Sequence, residues 1–351
     1  MHRRSFLAAT LAGPAVARFG LRPNAAQAAE PAWRHFEITT RVTLLGSAGN
    51  CQLWLPLVQD ANAYQAVVDR RWQSNGRTEL VRDAHYGAAM LRSAWNDGKA
   101  PQQLELVQVV ATRDRGAVAA QLTDSDRQFW TDATPSAPTD GIVRDTAERI
   151  TAGLTDPHAR LRAIYDWVVD NTFRNAGTPG CGTGNIKAML QSGVFVGKCA
   201  DINGLMVGLA RAAGFPARDV YGIRVADSAS FPSLGRSGDI SKAQHCRAEV
   251  FLDDTGWFPV DPADVRKVVL EQGLALHSPQ VRALRERLFG AWEMNWAGYN
   301  SATDIVLPGA GTREANFAFL MYPCAFTETG TADCLDPANF QYKITSRELV
   351  A

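Results

Sequence analysis

The alternation of apolar and polar positions changes character at about residue 140. Before that point, segments 35–45, 52–58 and 104–112 alternate with period two, are rich in branched and aromatic residues, and are separated by Gly, Asn and Pro. That pattern is typical of antiparallel strands with one buried face. It predicts a β-sandwich over residues 29–135, followed by a proline-containing linker at 131–141.

Helical periodicity follows the linker. Apolar residues recur three and four positions apart in segments 141–154, 157–173 and 199–213, which predicts amphipathic helices. The third segment ends at Gly214, and Pro216 prevents its continuation. Gly204 and Gly208 within it lower helix propensity, so we expect another element to pack closely against that face.

Strand signals return after this helix. Segments 218–225 and 243–252 alternate, and a turn at 253–256 predicts that 257–261 pairs back as a hairpin. A helix followed by an antiparallel sheet is an α+β arrangement, predicted over residues 140–270. Beyond it, residues 271–351 contain a helix near 279–289, an aromatic-rich segment and a strand-rich tail. We expect this extension to pack on the preceding domain.

The first 28 residues have the character of an export signal. They contain four arginines and no acidic residue, and they end in the small-residue triplet 26–28. Arg3-Arg4 followed by Ser-Phe-Leu is similar to a twin-arginine signature. No other segment has the roughly 18 unbroken apolar residues that a transmembrane helix needs. A periplasmic or secreted location is therefore expected, with no integral membrane segment after signal removal.

Charge and cysteine content narrow the possibilities further. The chain has 36 basic and 36 acidic residues, and this balance argues against a nucleic-acid partner. Six cysteines in an exported protein suggest a disulfide. Cys324 and Cys334 bracket a short loop and form the predicted pair. If one further cysteine is a free catalytic thiol, an odd number of cysteines remains, and at least one of these is buried, reactive or paired between chains.

Cys199 is the candidate nucleophile. It stands in the first turn of the helix predicted over 199–213, after Gly197 and Lys198. The positive end of a helix favours an anion there, and a thiolate is the form of cysteine that attacks carbonyls. A buried structural thiol is the competing interpretation.

His245 and Asp261 are its candidate partners. Strand alternation puts His245 and Arg247 on one face, predicted to be polar and to face a cleft, and it turns Cys246 into the core. A carboxylate at Asp261, on the next strand, can orient the imidazole and stabilise its cation. Asp261 shares the face of His245 only if the hairpin loop has an odd number of residues or the ladder contains a bulge. The alternative is that Asp261 and Pro262 merely start a turn.

Several motifs carry a family resemblance. They are Gly197-Lys198-Cys199-Ala200-Asp201, the run Leu209 to Arg218, His245 ahead of Glu249, and Gly256-Trp257 ahead of Asp261-Pro262. Over about residues 140–265 this set resembles bacterial transglutaminase-like domains, a branch of the papain-like cysteine-enzyme superfamily.

The resemblance implies a specific chemistry. It implies a catalytic Cys199–His245–Asp261 triad that acts on amide or peptide carbonyls of a protein or peptide substrate, without a metal or organic cofactor. The Cys199 backbone N–H is one expected oxyanion donor. Trp167, Asn185 and Gln191 are only guesses for a second.

Three functions remain open at this point. The first is an exported cysteine enzyme that works through a thioester, as a peptidase or amidase or as an acyltransferase. The second is an inactive binding or scaffold protein on the same fold. The third is a zinc-stabilised domain using Cys181, Cys199, His245 and Cys246, although the predicted strand turns Cys246 away from His245.

Overall fold

The computed structural model describes residues 32–45, 49–61, 63–96, 101–311 and 316–350. The predicted signal segment, residues 1–28, lies outside these ranges. Residues Pro31–Ala351 form one unit. In the described part of the chain, no helix combines the length and the apolar character needed to cross a bilayer.

Strands dominate both ends of the chain and helices the middle. The strands are β1 (Arg34–Leu44), β2 (Cys51–Pro56), β3 (Gln65–Ser74), β4 (Arg77–Arg82), β5 (Ala89–Trp95), β6 (Gln102–Thr112), β7 (Phe173–Arg174), β8 (Val196–Gly197), β9 (Ala217–Arg224), β10 (Gly238–Asp239), β11 (Gln244–Leu252), β12 (Gly256–Val260), β13 (Trp296–Asn300), β14 (Thr303–Val306), β15 (Asn316–Phe319), β16 (Cys324–Thr327), β17 (Gly330–Ala332) and β18 (Phe340–Leu349). The helices are α1 (Asp124–Thr131), α2 (Ile142–Thr151), α3 (Pro157–Asn171), α4 (Ile186–Ser192), α5 (Cys199–Ala212), α6 (Pro262–Glu271) and α7 (Pro279–Arg287), with a 3₁₀ turn at Pro232–Leu234.

Two five-stranded sheets form the predicted sandwich. Their strand orders are β10-β18-β1-β6-β3 and β17-β16-β2-β5-β4, and every pairing within them is antiparallel. Apolar side chains from both sheets share one core, among them Leu53, Leu91, Leu106 and Phe340. Burial in β1 alternates along the strand, as the period-two pattern predicts.

A second layered region supports the candidate site. Its antiparallel sheet has the order β12-β11-β9-β13, and α5 lies against β11 and β9. The side chains of Leu205, Met206 and Leu209 are fully buried in this interface. A Cβ on Gly208 would lie 2.1 Å from Ile186 Cδ1. The expected close approach of another element is confirmed, and that element is α4.

The fold matches the α+β prediction, with two differences in detail. Helix α6 was not predicted, because Asp261-Pro262 resembles a turn; in the structure Asp261 is the N-cap of that helix and Pro262 its first residue. The segment 271–351 supplies β13 to the α5 sheet and β16, β17 and β18 to the sandwich. The proposed domain boundaries stay a prediction.

The structure does not contain the predicted disulfide: Cys324 and Cys334 are both thiols. In the β16–β17 hairpin, Ala325 pairs with Ala332. Continuing this register puts Asp333, rather than Cys334, opposite Cys324, so the two cysteines are not a directly facing pair.

Candidate active site

Cys199 is the first residue of α5, as expected. The loop before it is held by the Asp201 carboxylate, which accepts hydrogen bonds from the backbone N–H groups of Lys198 at 2.9 Å, Thr183 at 2.9 Å and Gly184 at 3.0 Å. These donors come from two segments that are distant in sequence. Asp201 therefore joins the 180–184 loop to the start of the helix.

The 180–184 loop depends on a glycine at its closest approach to Asp201. Gly182 has φ +97°, and a Cβ there would lie 1.8 Å from the Asp201 carboxylate. Only a residue without a side chain fits this position. The loop brings Cys181 next to the start of α5, where its carbonyl accepts a hydrogen bond from Ala200 N at 3.0 Å.

The hairpin register puts Asp261 on the face of His245. Leu252 pairs with Gly256, so the loop contains the three residues 253–255 and meets the odd-number condition. Gly256 adopts φ +82°, the left-handed conformation that suits glycine at such a turn. Continuing the register beyond β12 puts Asp261 opposite Arg247.

The imidazole of His245 is held against the Asp261 carboxylate. His245 Nε2 lies 2.8 Å from Asp261 Oδ2, and the ring is therefore fixed at that nitrogen. Asp261 Oδ1 accepts hydrogen bonds from Asp264 N at 3.1 Å and Asn203 Nδ2 at 3.2 Å. The carboxylate is thus at once a helix cap and a partner of histidine. His245 O accepts a hydrogen bond from Trp296 Nε1 at 2.9 Å, which fixes the strand behind the ring.

A second carboxylate faces the same ring. Asp264 Oδ1 lies 3.4 Å from His245 Nε2 and 2.6 Å from Arg224 Nη2, while Arg247 Nε lies 3.4 Å from Asp261 Oδ2. Burial alone would raise the pKa of Asp264, but Arg224 and His245 outweigh it and lower that pKa. Two carboxylates and two guanidinium groups thus surround one imidazole in a water-poor region.

These charges favour a protonated imidazole. Burial lowers the pKa of His245, and Arg224 lowers it further, but the carboxylates of Asp264 and Asp261 outweigh both and raise that pKa above its ordinary value of 6.5. Because Nε2 faces Asp261, Nδ1 is the nitrogen left to interact with Cys199.

The environment of Cys199 stabilises its anion. Hydrogen bonding from the neighbouring thiols of Cys181 and Cys246 lowers the pKa of Cys199 well below its ordinary value, burial opposes this, and His245 lowers the pKa further. The Tyr322 hydroxyl in turn lies 3.1 Å from the Cys181 sulfur. Cys246 is in the core, as predicted, but it also contacts the nucleophile candidate.

A cavity reaches both candidate groups. Cys199 is 3% and His245 2% exposed, yet both line a cavity of about 230 Å³. The cavity therefore gives a small group from solvent a route to two residues that are almost completely buried.

The prediction that the His245 face of β11 lines a cleft is wrong for most of the strand. Only its end at His245 borders the cavity; Arg247 and Glu249 are 2% and 1% exposed. Glu249 lies between Arg115, at 2.8 Å, and Arg218, at 2.6 Å. Since their charges are satisfied within the protein, these residues form a buried polar layer.

Two subsidiary expectations also fail. None of the three guesses for an oxyanion side chain, Trp167, Asn185 and Gln191, lines the cavity at Cys199. Within the described residues, the donor atoms of the hypothetical zinc set do not all come together; the close group of possible metal ligands is His245, Asp261 and Asp264. Arg224 and Arg247 already offset the negative charge of those two carboxylates.

Sequence reasoning missed three residues that shape the site, Asn203, Asp264 and Arg224, and considered Cys181 only as a possible zinc ligand. Asn203 was detectable, because it follows Cys199 by one helical turn and thus lies on the same face. Asp264 follows Asp261 by three residues, but its position became meaningful only with helix α6. Arg224 and Cys181 come from a strand and a loop that no local spacing connects to Cys199.

The comparisons with known proteins agree with this geometry. The model of the transglutaminase-like superfamily matches residues 144–262, the segment that holds Cys199, His245 and Asp261. An uncharacterised protein of Haemophilus influenzae is 35% identical over 327 residues, which cover 87% of this chain and 88% of that protein. Through this domain the chain belongs to the transglutaminase-like superfamily.

Solved structures extend the likeness to the whole fold. A candidate cysteine protease from Cytophaga hutchinsonii superposes with a TM-score of 0.59 at 13% identity, covering 92% of this chain and 93% of that one. The periplasmic domain of TgpA from Pseudomonas aeruginosa is 16% identical and covers 75% of this chain and 94% of that one. Its TM-score of 0.36 is too low to support an inference.

Proposed function

We propose that the protein is an exported cysteine enzyme that cleaves amide or peptide bonds through a thioester on Cys199. The observation that carries the proposal is the position of His245, held by Asp261 on one side while its other nitrogen is left for a thiol of lowered pKa. Such an arrangement stores the nucleophile as a thiolate and the general acid as an imidazolium. Membership of the transglutaminase-like superfamily supports the same class of chemistry.

The first half of the reaction forms the acyl-enzyme. The Cys199 thiolate attacks the carbonyl carbon, and a C–S bond forms as the carbonyl oxygen becomes an oxyanion. The Cys199 backbone N–H, at the positive end of α5, is positioned to stabilise that charge. The His245 imidazolium then gives its Nδ1 proton to the leaving nitrogen, the C–N bond breaks, and a thioester and a free amine result.

The second half restores the enzyme. Neutral His245 takes a proton from water as the water oxygen attacks the thioester carbonyl, and the C–S bond breaks. The products are a carboxylic acid, the Cys199 thiolate and the imidazolium. An amine in place of water would yield a new amide. We favour hydrolysis, because water is abundant in the periplasmic or secreted location that the twin-arginine-type signal predicts.

Trapping of the acyl-enzyme tests this proposal. The mature protein is mixed with a library of peptide amides, quenched in acid and digested, and the peptide that contains Cys199 is weighed by mass spectrometry. We expect the mass of an acyl group on Cys199, and its loss in Cys199→Ser and His245→Ala. Turnover without acylation of Cys199, or acylation of another residue, would overturn the mechanism.

A further inference from the structure

Cationic side chains dominate the cavity in front of Cys199 and His245. Six of its lining residues are basic and one is acidic, in a cavity of about 230 Å³. The basic residues are Arg174, Lys198, Arg224, Arg236, Lys242 and Lys267, and the acidic one is Glu271. The whole chain, in contrast, has equal numbers of basic and acidic residues. The positive charge is therefore concentrated at this position.

Part of this charge is neutralised within the protein. Arg224 pairs with Asp264 at 2.6 Å. Arg174 and Lys267 share the Glu271 carboxylate, at 3.1 and 3.8 Å. These three cations and two carboxylates leave about one positive charge uncompensated.

The remaining cations form no ion pair with a described residue: no described acidic side chain lies within ion-pair distance of Lys198, Lys242 or Arg236. Arg236 donates to the backbone oxygen of Asp239, at 2.9 Å. Hydrogen bonds from Ser241 and, more weakly, the charge of Arg236 lower the pKa of the Asp239 carboxyl. Unpaired like charges around a small cavity repel one another, so they raise the energy of the empty site and favour an anion within it.

The buried side chain of Gln244 also lines this cavity. Gln244 is 8% exposed, and its Nε2 has no hydrogen-bond partner of good geometry, although the Tyr342 hydroxyl interacts with this side chain. An unsatisfied buried donor is costly, and an oxygen of a bound molecule would satisfy it.

The cations flank the reacting groups. Lys198 immediately precedes Cys199, and Lys242 comes three residues before His245. Neither lysine is among the principal causes of the lowered pKa of Cys199, which come from Cys181, Cys246 and His245. The lysines are therefore available for a role other than activation of the thiol.

We propose that this cavity binds a substrate carboxylate within about one residue of the scissile amide, so that the enzyme prefers acidic peptides over neutral ones. The cavity is smaller than the roughly 300–1,000 Å³ of sites for drug-sized ligands and holds one or two amino-acid residues. The carboxylate comes from an acidic side chain or from a free C-terminus. The substrate named in this inference rests on the amide chemistry proposed above. The electrostatic test of the cavity does not depend on that chemistry.

The electrostatic test compares two alkylating agents at Cys199, anionic iodoacetate and neutral iodoacetamide. The His245 cation also attracts iodoacetate. We therefore compare, between wild type and each variant, the ratio of the alkylation rate with iodoacetate to the rate with iodoacetamide. We expect Lys198→Gln and Lys242→Gln each to lower the iodoacetate-to-iodoacetamide ratio by roughly three- to sevenfold at low salt, less at high salt. Lys187→Gln, on the exposed face of α4 and outside the cavity, should leave it unchanged.

The substrate test uses matched peptides. Pairs with Glu or Gln next to the scissile bond, each with a free or amidated C-terminus, identify the source of the carboxylate. We expect a KM at least several-fold lower for one acidic set, and loss of that preference in the Lys198→Gln, Lys242→Gln double variant. A ratio unaffected by the lysine variants, together with equal cleavage of acidic and neutral peptides, would overturn the carboxylate site while leaving the enzyme intact. Lysine-dependent ratios without any acylation of Cys199 would instead overturn the proposed enzyme.

Discussion

The two sheet regions of this molecule bury opposite kinds of side chain. Between the sheets of the sandwich lie apolar groups such as Leu53 and Leu91, whose burial stabilises the fold directly. The face of β11 that carries His245 buries Arg247 and Glu249 instead. Replacing such buried ion pairs with apolar residues is often neutral or stabilising, so stability alone does not explain them.

This difference in buried side chains indicates which region carries the function. Among the described residues of the sandwich, the charged network of Glu37, Arg71 and Arg347 has strongly exposed arginines. The network around β11 is buried: it consists of Asp261, Asp264, Arg224 and His245, and each of these lies within 3.4 Å of at least one other member. This network sets the protonation of an imidazole beside a thiol. We interpret the polar layer as the feature that keeps the site charged.

The largest effect is expected from the nucleophile itself. Cys199→Ser removes the thiolate, and we expect activity on any cleaved peptide amide to fall by at least about 10³-fold, with little change in the unfolding midpoint. Cys334→Ser, at the sandwich end of the chain, is the matched control and should retain activity. Equal activity of the two variants would remove Cys199 from the mechanism.

Asp261→Asn separates the two roles of that residue. Asn is also a good N-cap, so α6 should remain intact, but the imidazolium loses its closest negative charge. We expect activity to fall by about 10²–10⁴-fold in protein that remains folded. The unfolding free energy should also fall, by up to about 3–5 kcal/mol, because His245 and Arg247 lose a buried negative partner. A loss of activity that merely follows a loss of folded protein, measured by circular dichroism, would assign Asp261 a structural role alone.

The next comparison contrasts a buried charge with a buried apolar group. Glu249→Gln leaves Arg115 and Arg218 without their anion and should cost about 3–5 kcal/mol; Leu53→Ala in the sandwich should cost about 2–5 kcal/mol. Denaturant unfolding at neutral pH measures both.

The pH dependence of the lost stability distinguishes Glu249→Gln from Leu53→Ala. Burial raises the pKa of Glu249, but Arg218 and Arg115 outweigh it and hold the pKa below its ordinary value of 4.5. The stabilisation is therefore fully present above pH 4.5 and is lost as the pH falls through the folded-state pKa. The gap between wild type and Glu249→Gln should narrow below pH 4.5, whereas the gap for Leu53→Ala should stay constant. A constant gap for both would show that the ionised state of Glu249 is unimportant.

The smallest effect is expected from the neighbouring thiol. Cys181→Ala removes the hydrogen bond that contributes most to the lowered pKa of Cys199, so that pKa should rise and alkylation at about pH 6 should slow several-fold. Activity should persist, since His245 remains. Cys51→Ala, in the sandwich core, serves as the control. Unchanged alkylation would mean that Cys181 does not stabilise the thiolate.

The local sequence pattern predicted the secondary-structure elements, but not which of them contact one another. The limits of α2, α3 and α5 follow from apolar spacing and from Gly214 and Pro216, because these signals act within one element. The shared face of His245 and Asp261 followed from strand parity once the loop length was known. Asp264 and Arg224 were missed, since their partners come from other elements and only the tertiary fold joins them.

The same limit applies to the segment beyond residue 270. Its tail was predicted to be rich in strands, whereas the segment that forms β13 was described only as aromatic-rich. Strand β18 pairs with β1 at the opposite end of the chain, and no local signal encodes such a pairing. The face of β11 was predicted correctly as polar and wrongly as open, because side-chain periodicity does not reveal what packs on it.

The most direct test of the account is the pH profile of Cys199 alkylation by iodoacetamide, read by peptide mapping in wild type and His245→Ala. Because the pKa of Cys199 is lowered and that of His245 is raised, the thiolate and imidazolium coexist between these two values. The account predicts rapid, single-site labelling of Cys199 at about pH 6 that is markedly slower in His245→Ala. Labelling of Cys199 only in alkaline solution, at the same rate in both proteins, would contradict it and indicate an inert thiol in a binding protein.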